Sequence, residues 1–266
     1  MTLRPPSGIF ALPESALQRI PALRRIRLAV RVAALADVHG NAPALEAVFA
    51  EVELAEPDLV VFCGDLTWGS LPRETLALVR ALRIPARFVR GNADRAVGTE
   101  TEGRGSWMTS MHTEGDLAFL AGFEPTVSVD VDGLGPTCFC HGSPRSDEEC
   151  VTERTPAERV REFMTGIDER VVVTAHIHVR YDRQVDGIRL LSPGSVGLPY
   201  EGERGAYWAL LGPSVELRRT DYDVEAAVER MRATDDPRVE QIVEMMLEPP
   251  PREDAIEHAE QLEFPG

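Results

Sequence analysis

The chain of 266 residues contains no lysine; its 28 basic residues are all arginine. This excludes a lysine Schiff base, and it excludes a P-loop, which needs its lysine. Positive charge is scarce overall. Forty-four acids outweigh the arginines and leave a net charge of −16, so a broad basic footprint for nucleic acid is not expected. An acidic protein can still act on a phosphate ester if bound cations supply local positive charge. No apolar run approaches the ~18 residues needed to span a bilayer. The first 21 residues contain Pro5, Pro6, Pro13 and Pro21 and no continuous apolar core, which argues against a secretory signal. Only four cysteines are present, Cys63, Cys138, Cys140 and Cys150, and none forms a C-x-x-C pair. They read as reduced thiols and place the protein in the cytoplasm. Cys138 and Cys140 alternate on an expected strand, so both should face one side as small core residues.

What is present is a regular alternation of strands and helices. Residues 1–27 read as an N-terminal extension, with Arg4, Arg19, Arg24, Arg25 and Arg27 against the single acid Glu14 and room for a short helix around Glu14 to Ile20. The apolar run Leu28 to Ala36 reads as a buried strand. Ala42 to Ala55 has a helical period, Leu59 to Cys63 a strand's continuous apolar run, Leu71 to Leu82 a second helix and Ala86 to Val89 a third strand. Thr99 to Gly105 is rich in Gly, Glu and Thr and reads as a loop, and Glu114 to Leu120 as a short helix. Thr126 to Val131 and Pro136 to Cys140 form an expected hairpin about Asp132-Gly133. Pro156 to Met164 follows as a helix with Thr155 as a candidate cap, then Val171 to Thr174 as a strand. Two further hairpins are expected, about Asp186-Gly187 and about Gly212-Pro213. The acidic segment 221–266 reads as a helical tail on the domain formed by 28–220, broken by Pro249-Pro250-Pro251.

The strands end in polar clusters, and in open α/β sheets ligands bind at the carboxyl ends of strands. Asp37 and His39 follow the first strand; on an extended segment, residues i and i+2 project to the same side. Asp65 follows the second strand through the tight turn at Gly64, and Asn92 follows the third. His141 ends the hairpin's return strand, and His176 and His178 follow the next strand. Four of the six histidines belong to this set. Any one of these residues has an ordinary structural explanation; seven in succession at strand ends do not. Asp, Asn and His together supply the oxygen and nitrogen donors that suit Mn, Fe, Zn or Ni. If two ions sit ~3.5–4 Å apart, one carboxylate must bridge them, and Asp65 is the obvious bridge.

Taken in order, Asp37-Val38-His39, Gly64-Asp65, Gly91-Asn92-Ala93-Asp94, His141-Gly142 and Ala175-His176-Ile177-His178 resemble the signature of the calcineurin-like metallophosphoesterases, especially their small bacterial phosphodiesterase branch. Roughly 25 residues separate the first three blocks, and the resemblance runs from about Leu28 to Arg219. Gly69 and Pro193-Gly194-Ser195-Val196-Gly197 are further matches. The resemblance implies a four-layer α/β/β/α sandwich with a binuclear centre at its carboxyl edge. It implies two divalent transition-metal ions, manganese first, with Fe, Zn, Ni or Co accepted by the same donors. Asp37, His39 and His178 would hold one ion, Asn92, His141 and His176 the other, with Asp65 between. The expected activity is hydrolysis of a phosphate ester, foremost a phosphodiester, by a hydroxide bridging the metals. The alternatives are a phosphomonoesterase and a non-catalytic protein-binding scaffold of the same fold.

Two positions depart from the family pattern. Ala93 stands where the family carries a histidine that protonates the leaving group, so no proton donor is assigned. Asp94, which would orient that histidine, is expected to pair with Arg95 or Arg90. Trp68 stands where an acid is common; it reads as a packing residue, with substrate stacking as the minority reading. Asn92, Arg145 and Trp68 are the candidate substrate contacts, Arg145 through its bidentate fork, with a structural ion pair as its alternative role. His112 could stand in for the missing acid, but its segment is distant in sequence and reads as a helix entry.

Overall fold

In the computed structural model the described residues are 30–100 and 102–262; the arm 1–27, with its expected short helix, lies outside them. β1 (Val32–Leu35), α1 (Ala42–Ala55), β2 (Leu59–Cys63), α2 (Pro72–Ala81) and β3 (Ala86–Val89) form a parallel βαβαβ unit. Three helices follow, α3 (Asn92–Ala96), α4 (Gly103–Ser110) and α5 (Glu114–Ala121). The chain then builds a second sheet from β4 (Thr126–Val131), β5 (Gly135–Cys140), β6 (Val171–Val173) after α6 (Ala157–Phe163), β7 (Arg180–Val185) and β8 (Ile188–Pro193). It returns to the first sheet with β9 (Ala206–Leu211) and β10 (Val215–Thr220), and ends in α7 (Val224–Arg232), α8 (Val239–Leu247) and α9 (Arg252–Gln261). The sheet orders are β10-β9-β1-β2-β3 and β4-β5-β6-β8-β7.

Strand alternation sorts the side chains into layers. Val32, Ala34, Val61 and Cys63 point inward onto Phe139, Val173 and Leu191 of the second sheet. Ala33, Leu35, Val60 and Phe62 point outward onto Leu45, Val48 and Leu76 of α1 and α2. On the opposite face Cys138, Cys140, Val172 and Leu190 meet Val160 and Phe163 of α6 and Ile256 of α9. The result is a four-layer α/β/β/α sandwich. Burial raises the thiols of Cys63, Cys140 and Cys150, and all four cysteines are free and buried. Asp186 and Gly187, with φ of 50° and 81°, make the two-residue hairpin turn that their sequence demands. No helix among the described residues is long and apolar enough to cross a membrane.

Two helices differ locally from the sequence expectations. The loop expected over Thr99 to Gly105 gives way to α4 at Gly103, in spite of its glycines. Met108 is drawn into the core beside α2, and the Arg104 guanidinium donates to the fully buried Asp236 carboxylate at 2.8 Å. Tertiary contacts thus override a weak helix propensity. Thr155 does not cap α6, whose cap position is Pro156; the Thr155 hydroxyl instead accepts from Thr152 N at 2.8 Å and binds Glu260 of α9.

Asn41 begins α1 and also ties it to the second sheet's return loop. Its Oδ1 accepts from Ala44 N at 3.2 Å, and its Nδ2 donates to Gly197 O at 2.9 Å. Asn41→Ala loses the cap and leaves a buried carbonyl unpaired, with an expected loss of about 2 kcal/mol. The urea midpoint should fall with an unchanged slope; an unchanged midpoint would show that the cap contributes nothing.

Candidate metal centre

The parallel strands β1, β2 and β3 and the parallel strands β5, β6 and β8 release their following loops at one edge of the sandwich. All seven residues singled out from the sequence lie on these loops or at the first turn of α3. Asp37, His39 and His178 bring their donor atoms within 4.8 Å of one another, as do Asp65, His141 and His176. Asp65 Oδ2 lies 3.6 Å from His39 Nε2 and 3.5 Å from His141 Nε2, so this carboxylate spans the two groups. Asn92 Oδ1 is 3.0 Å from His141 Nε2 and joins the second group.

The backbone route to this convergence differs from the one inferred from the sequence. Asp37 and His39 are not on an extended strand. β1 stops at Leu35, and the two residues have φ of 51° and 46°. Asp65, His176 and His178 are also left-handed, with φ of 55°, 71° and 57°. Among the described non-glycine residues only Glu56 and Asp186 share this region. Such backbones each cost of order 1–3 kcal/mol and persist where the surroundings over-determine them. Here the surroundings are hydrogen bonds between the loops: His39 N donates to Asp65 O at 2.9 Å, Asp37 N to Gly64 O at 3.0 Å, and Gly197 N to Asp37 O at 3.0 Å. Two glycines permit the close approach. A Cβ at Gly69 would lie 1.6 Å from His39 O, and one at Gly91 would lie 2.0 Å from Asp65 Oδ1.

Backbone carbonyls set three histidine tautomers. His39 Nδ1 faces Trp68 O at 3.2 Å, His141 Nδ1 faces Cys63 O at 2.8 Å, and His178 Nδ1 faces Leu198 O at 2.6 Å. Each Nδ1 therefore carries a proton and each Nε2 is turned to the cluster, as a lone pair in His39 and His178. Tyr200 stacks on His178 at 4.5 Å between centroids and fixes its ring from the other side. These carbonyls and Tyr200 leave no pattern in the sequence by which they could be found.

This donor set fits a divalent cation. His39 Nε2 and His178 Nε2 face each other at 3.1 Å, two lone pairs with no proton between them in these tautomers. Asp37 Oδ1, fully buried, has no hydrogen-bond partner. Unpaired buried acceptors turned toward one another are costly unless a cation shares them. Titration follows the same crowding. Burial raises Asp37 well above the carboxylate range, and it lowers His39 and His178. Burial and then the neighbouring His141 take His176 down to about 4. Burial pulls His141 down most strongly as a single cause, but Asp65, Asp37 and the Cys63 carbonyl together more than offset it and lift this imidazole to about 10. That proton is the one a cation at the same atoms would displace.

The remaining candidates fall elsewhere. Asp94 pairs with neither Arg95 nor Arg90. Its Oδ2 accepts from Asp65 N at 2.8 Å and Gly91 N at 2.9 Å, and its Oδ1 accepts from Leu66 N at 2.9 Å. It holds the Asp65 turn by its backbone; burial and then the Asp65 charge push it up to about 7. Arg95 binds Asp147 and Glu148 instead. Arg145 takes its structural role, held by Glu149 at 2.7 Å and Glu162 at 2.9 Å. His112 is not at the centre. Its Nδ1 meets Met108 O at 2.7 Å and its Nε2 the Thr67 hydroxyl at 3.2 Å. Trp68 packs against the outer core and also lines a cleft of about 370 Å³ over the centre with His39, Asp65, Asn92, Ala93 and Arg95.

Comparison with known proteins agrees with this geometry. The family described as the calcineurin-like phosphoesterase superfamily domain matches residues 30–211. An uncharacterised protein of Methanocaldococcus jannaschii is 24% identical across 75% of this chain and 91% of its own length. The crystal structure of a metallophosphoesterase from Sphaerobacter thermophilus is similar at a TM-score of 0.69 and 25% identity, over 83% of this chain and 99% of that one. A hypothetical protein from Pyrococcus horikoshii shares the fold at a TM-score of 0.69 and 19% identity, over 81% and 97%. The matched span begins just before β1 and ends with β9, enclosing every loop that reaches the centre, and the chain belongs to the calcineurin-like phosphoesterase superfamily.

Proposed function

We propose that the protein hydrolyses a phosphodiester at a centre of two divalent transition-metal ions. Asp37, His39 and His178 would hold one and Asn92, His141 and His176 the other, with the Asp65 carboxylate within reach of both groups. The observation that carries this reading is the 3.6 Å and 3.5 Å span of Asp65 Oδ2 between His39 and His141, in a cluster whose buried Asp37 Oδ1 has no other partner. Bound ions supply a nucleophile at neutral pH and offset charge on the phosphoryl oxygens. Manganese is the first choice; Fe, Zn, Ni and Co accept the same donors.

The chain's own part is positional. The carbonyls of Trp68, Cys63 and Leu198 accept from the Nδ1 N–H groups of His39, His141 and His178 and so aim their Nε2 atoms at the centre, and Asp94 holds the turn that aims Asp65. Ala93 contributes no proton to the leaving group, so the leaving group takes its proton from water or departs without one. This favours activated aryl diesters over esters with basic alkoxide leaving groups. The four buried free thiols fit a reducing compartment, and we assign the cytoplasm.

The test is a panel of mono- and diesters offered to metal-stripped protein, with Mn, Ni, Co, Zn and Mg added back. Hydrolysis of aryl diesters by at least one form is expected; none with any metal would shift the reading to a protein-binding scaffold. Metal addition should also raise the melting temperature. An ion at 100 times its Kd stabilises the native state by about 2.7 kcal/mol, and chelation should reverse the shift. An unchanged melting curve would argue against a metal centre.

A further inference from the structure

Beside the main cleft lies a smaller cavity of about 210 Å³, lined in part by Arg90, Arg95, His141, Ser143, Arg145 and Asp147. It shares His141 with the metal centre and Arg95 with the main cleft, so the two spaces flank one side chain. Three arginines line it, and two are neutralised. Arg95 Nε donates to Asp147 Oδ2 at 2.8 Å and its NH2 to Glu148 at 2.6 Å. Arg145 is held by Glu149 and Glu162.

Arg90 is different. Its guanidinium has no ion pair or hydrogen bond among the described residues, and its Nε is shielded from solvent with no acceptor. The acids close to it in the chain or in space are all committed elsewhere. Asp94 is turned onto three backbone N–H groups. Glu124, whose carbonyl accepts from Arg90 N at 2.7 Å, gives its carboxylate to Arg87. Asp147 is taken by Arg95. A buried Nε–H without an acceptor carries the desolvation penalty of that donor. The guanidinium fork matches the oxygens of a phosphate two at a time, and the cavity has room for such a group.

We propose that this cavity is a second-phosphate subsite, in which Arg90 binds a phosphate group that the substrate carries next to the scissile ester. The assignment rests on the phosphoesterase reading for what occupies the neighbouring cleft. It narrows the substrate class to diesters that bear a further phosphate.

The test separates the subsite from the chemistry. Calorimetry on the Mn-reloaded full chain compares thymidine 3′,5′-bisphosphate with thymidine 5′-monophosphate, a pair differing by one phosphate. The expected affinity ratio in the wild type is roughly tenfold to hundredfold in favour of the bisphosphate, the range for a charge-assisted two-pronged contact. In Arg90→Met the ratio should fall to near one. In Arg90→Lys, which keeps the charge but loses the fork, it should fall severalfold, and this variant gives the answer if Arg90→Met does not fold. Any affinity of manganese for the free ligands cancels between variants. A wild-type ratio near one, or a ratio that survives both substitutions, overturns the subsite. Hydrolysis is read separately, with thymidine 5′-(p-nitrophenyl phosphate) and its 3′-phosphorylated form. If the ratio depends on Arg90 and neither ester is cleaved with any metal, the subsite stands and the hydrolytic reading fails. Cleavage of both at equal kcat/KM, with a ratio indifferent to Arg90, does the reverse.

Discussion

Asp65→Asn is expected to lower diester turnover by at least about 10³-fold if the proposed centre operates, because several kcal/mol of transition-state charge stabilisation would depend on the ions that this residue would join. The substitution is nearly isosteric, so the reason is electronic. Asp65 Oδ1 accepts from Ala93 N at 2.9 Å, and Oδ2 lies between His39 and His141. An amide can keep only one of these faces as an oxygen. If it keeps the Ala93 bond, it turns an NH2 group toward the two Nε2 atoms and repels any cation there. Four imidazoles would then share a single carboxylate, Asp37. The fold should tolerate the change, since Asp94 grips the backbone of this turn rather than the Asp65 side chain. Metal content, kcat/KM and the melting temperature of the stripped protein measure the three consequences apart. Two retained equivalents of metal with turnover within tenfold of wild type would remove Asp65 from the bridging position.

Most of the fold was legible because it rests on patterns with a fixed period. The outward and inward sets of β1, β2, β5 and β9 are alternate residues, and the parallel pairs β1–β2, β2–β3 and β5–β6 are each separated by a stretch with helical spacing. The seven polar residues were legible because each directly follows such a strand. What the sequence concealed is how they converge. An Asp-x-His pair suggests strand alternation, yet five of the seven residues reach the cluster through left-handed backbone held by bonds between loops distant in the chain. Local spacing has no access to those bonds. The same limit explains Asp94 and Arg145. Their charges suggested partners nearby in sequence or a phosphate, while the folded chain gives Asp94 three backbone donors and Arg145 two carboxylates. α4 was concealed for another reason: its sequence is a poor helix former, and the packing of Met108 and the Arg104–Asp236 pair decides its conformation.

Restoring a proton donor should change selectivity more than any other single substitution on the substrate side of the centre. Ala93→His is expected to accelerate hydrolysis of esters with poor leaving groups by about 10²-fold, the low end of the 10²–10⁴ range for general acid catalysis. The low end applies because an orienting carboxylate is missing. Asp94, next in sequence, has both oxygens bound to the backbone N–H groups of Asp65, Leu66 and Gly91, and diverting it to a new imidazole would loosen the Asp65 turn. Space is not the obstacle, since Ala93 lines the 370 Å³ cleft beside Asn92 and Trp68. A histidine there would line that cleft from the side of α3, where the present chain offers only a methyl group. Leaving groups such as p-nitrophenolate need no proton, and their rates should move by less than about threefold if the new imidazole acts as an acid. A series of diesters with leaving groups of rising pKa measures this directly: the slope of log kcat against leaving-group pKa should flatten in the variant. Parallel lines, with one factor for good and poor leaving groups alike, would mean that the new side chain acts on binding or metal affinity and that Ala93 is not the missing acid's position.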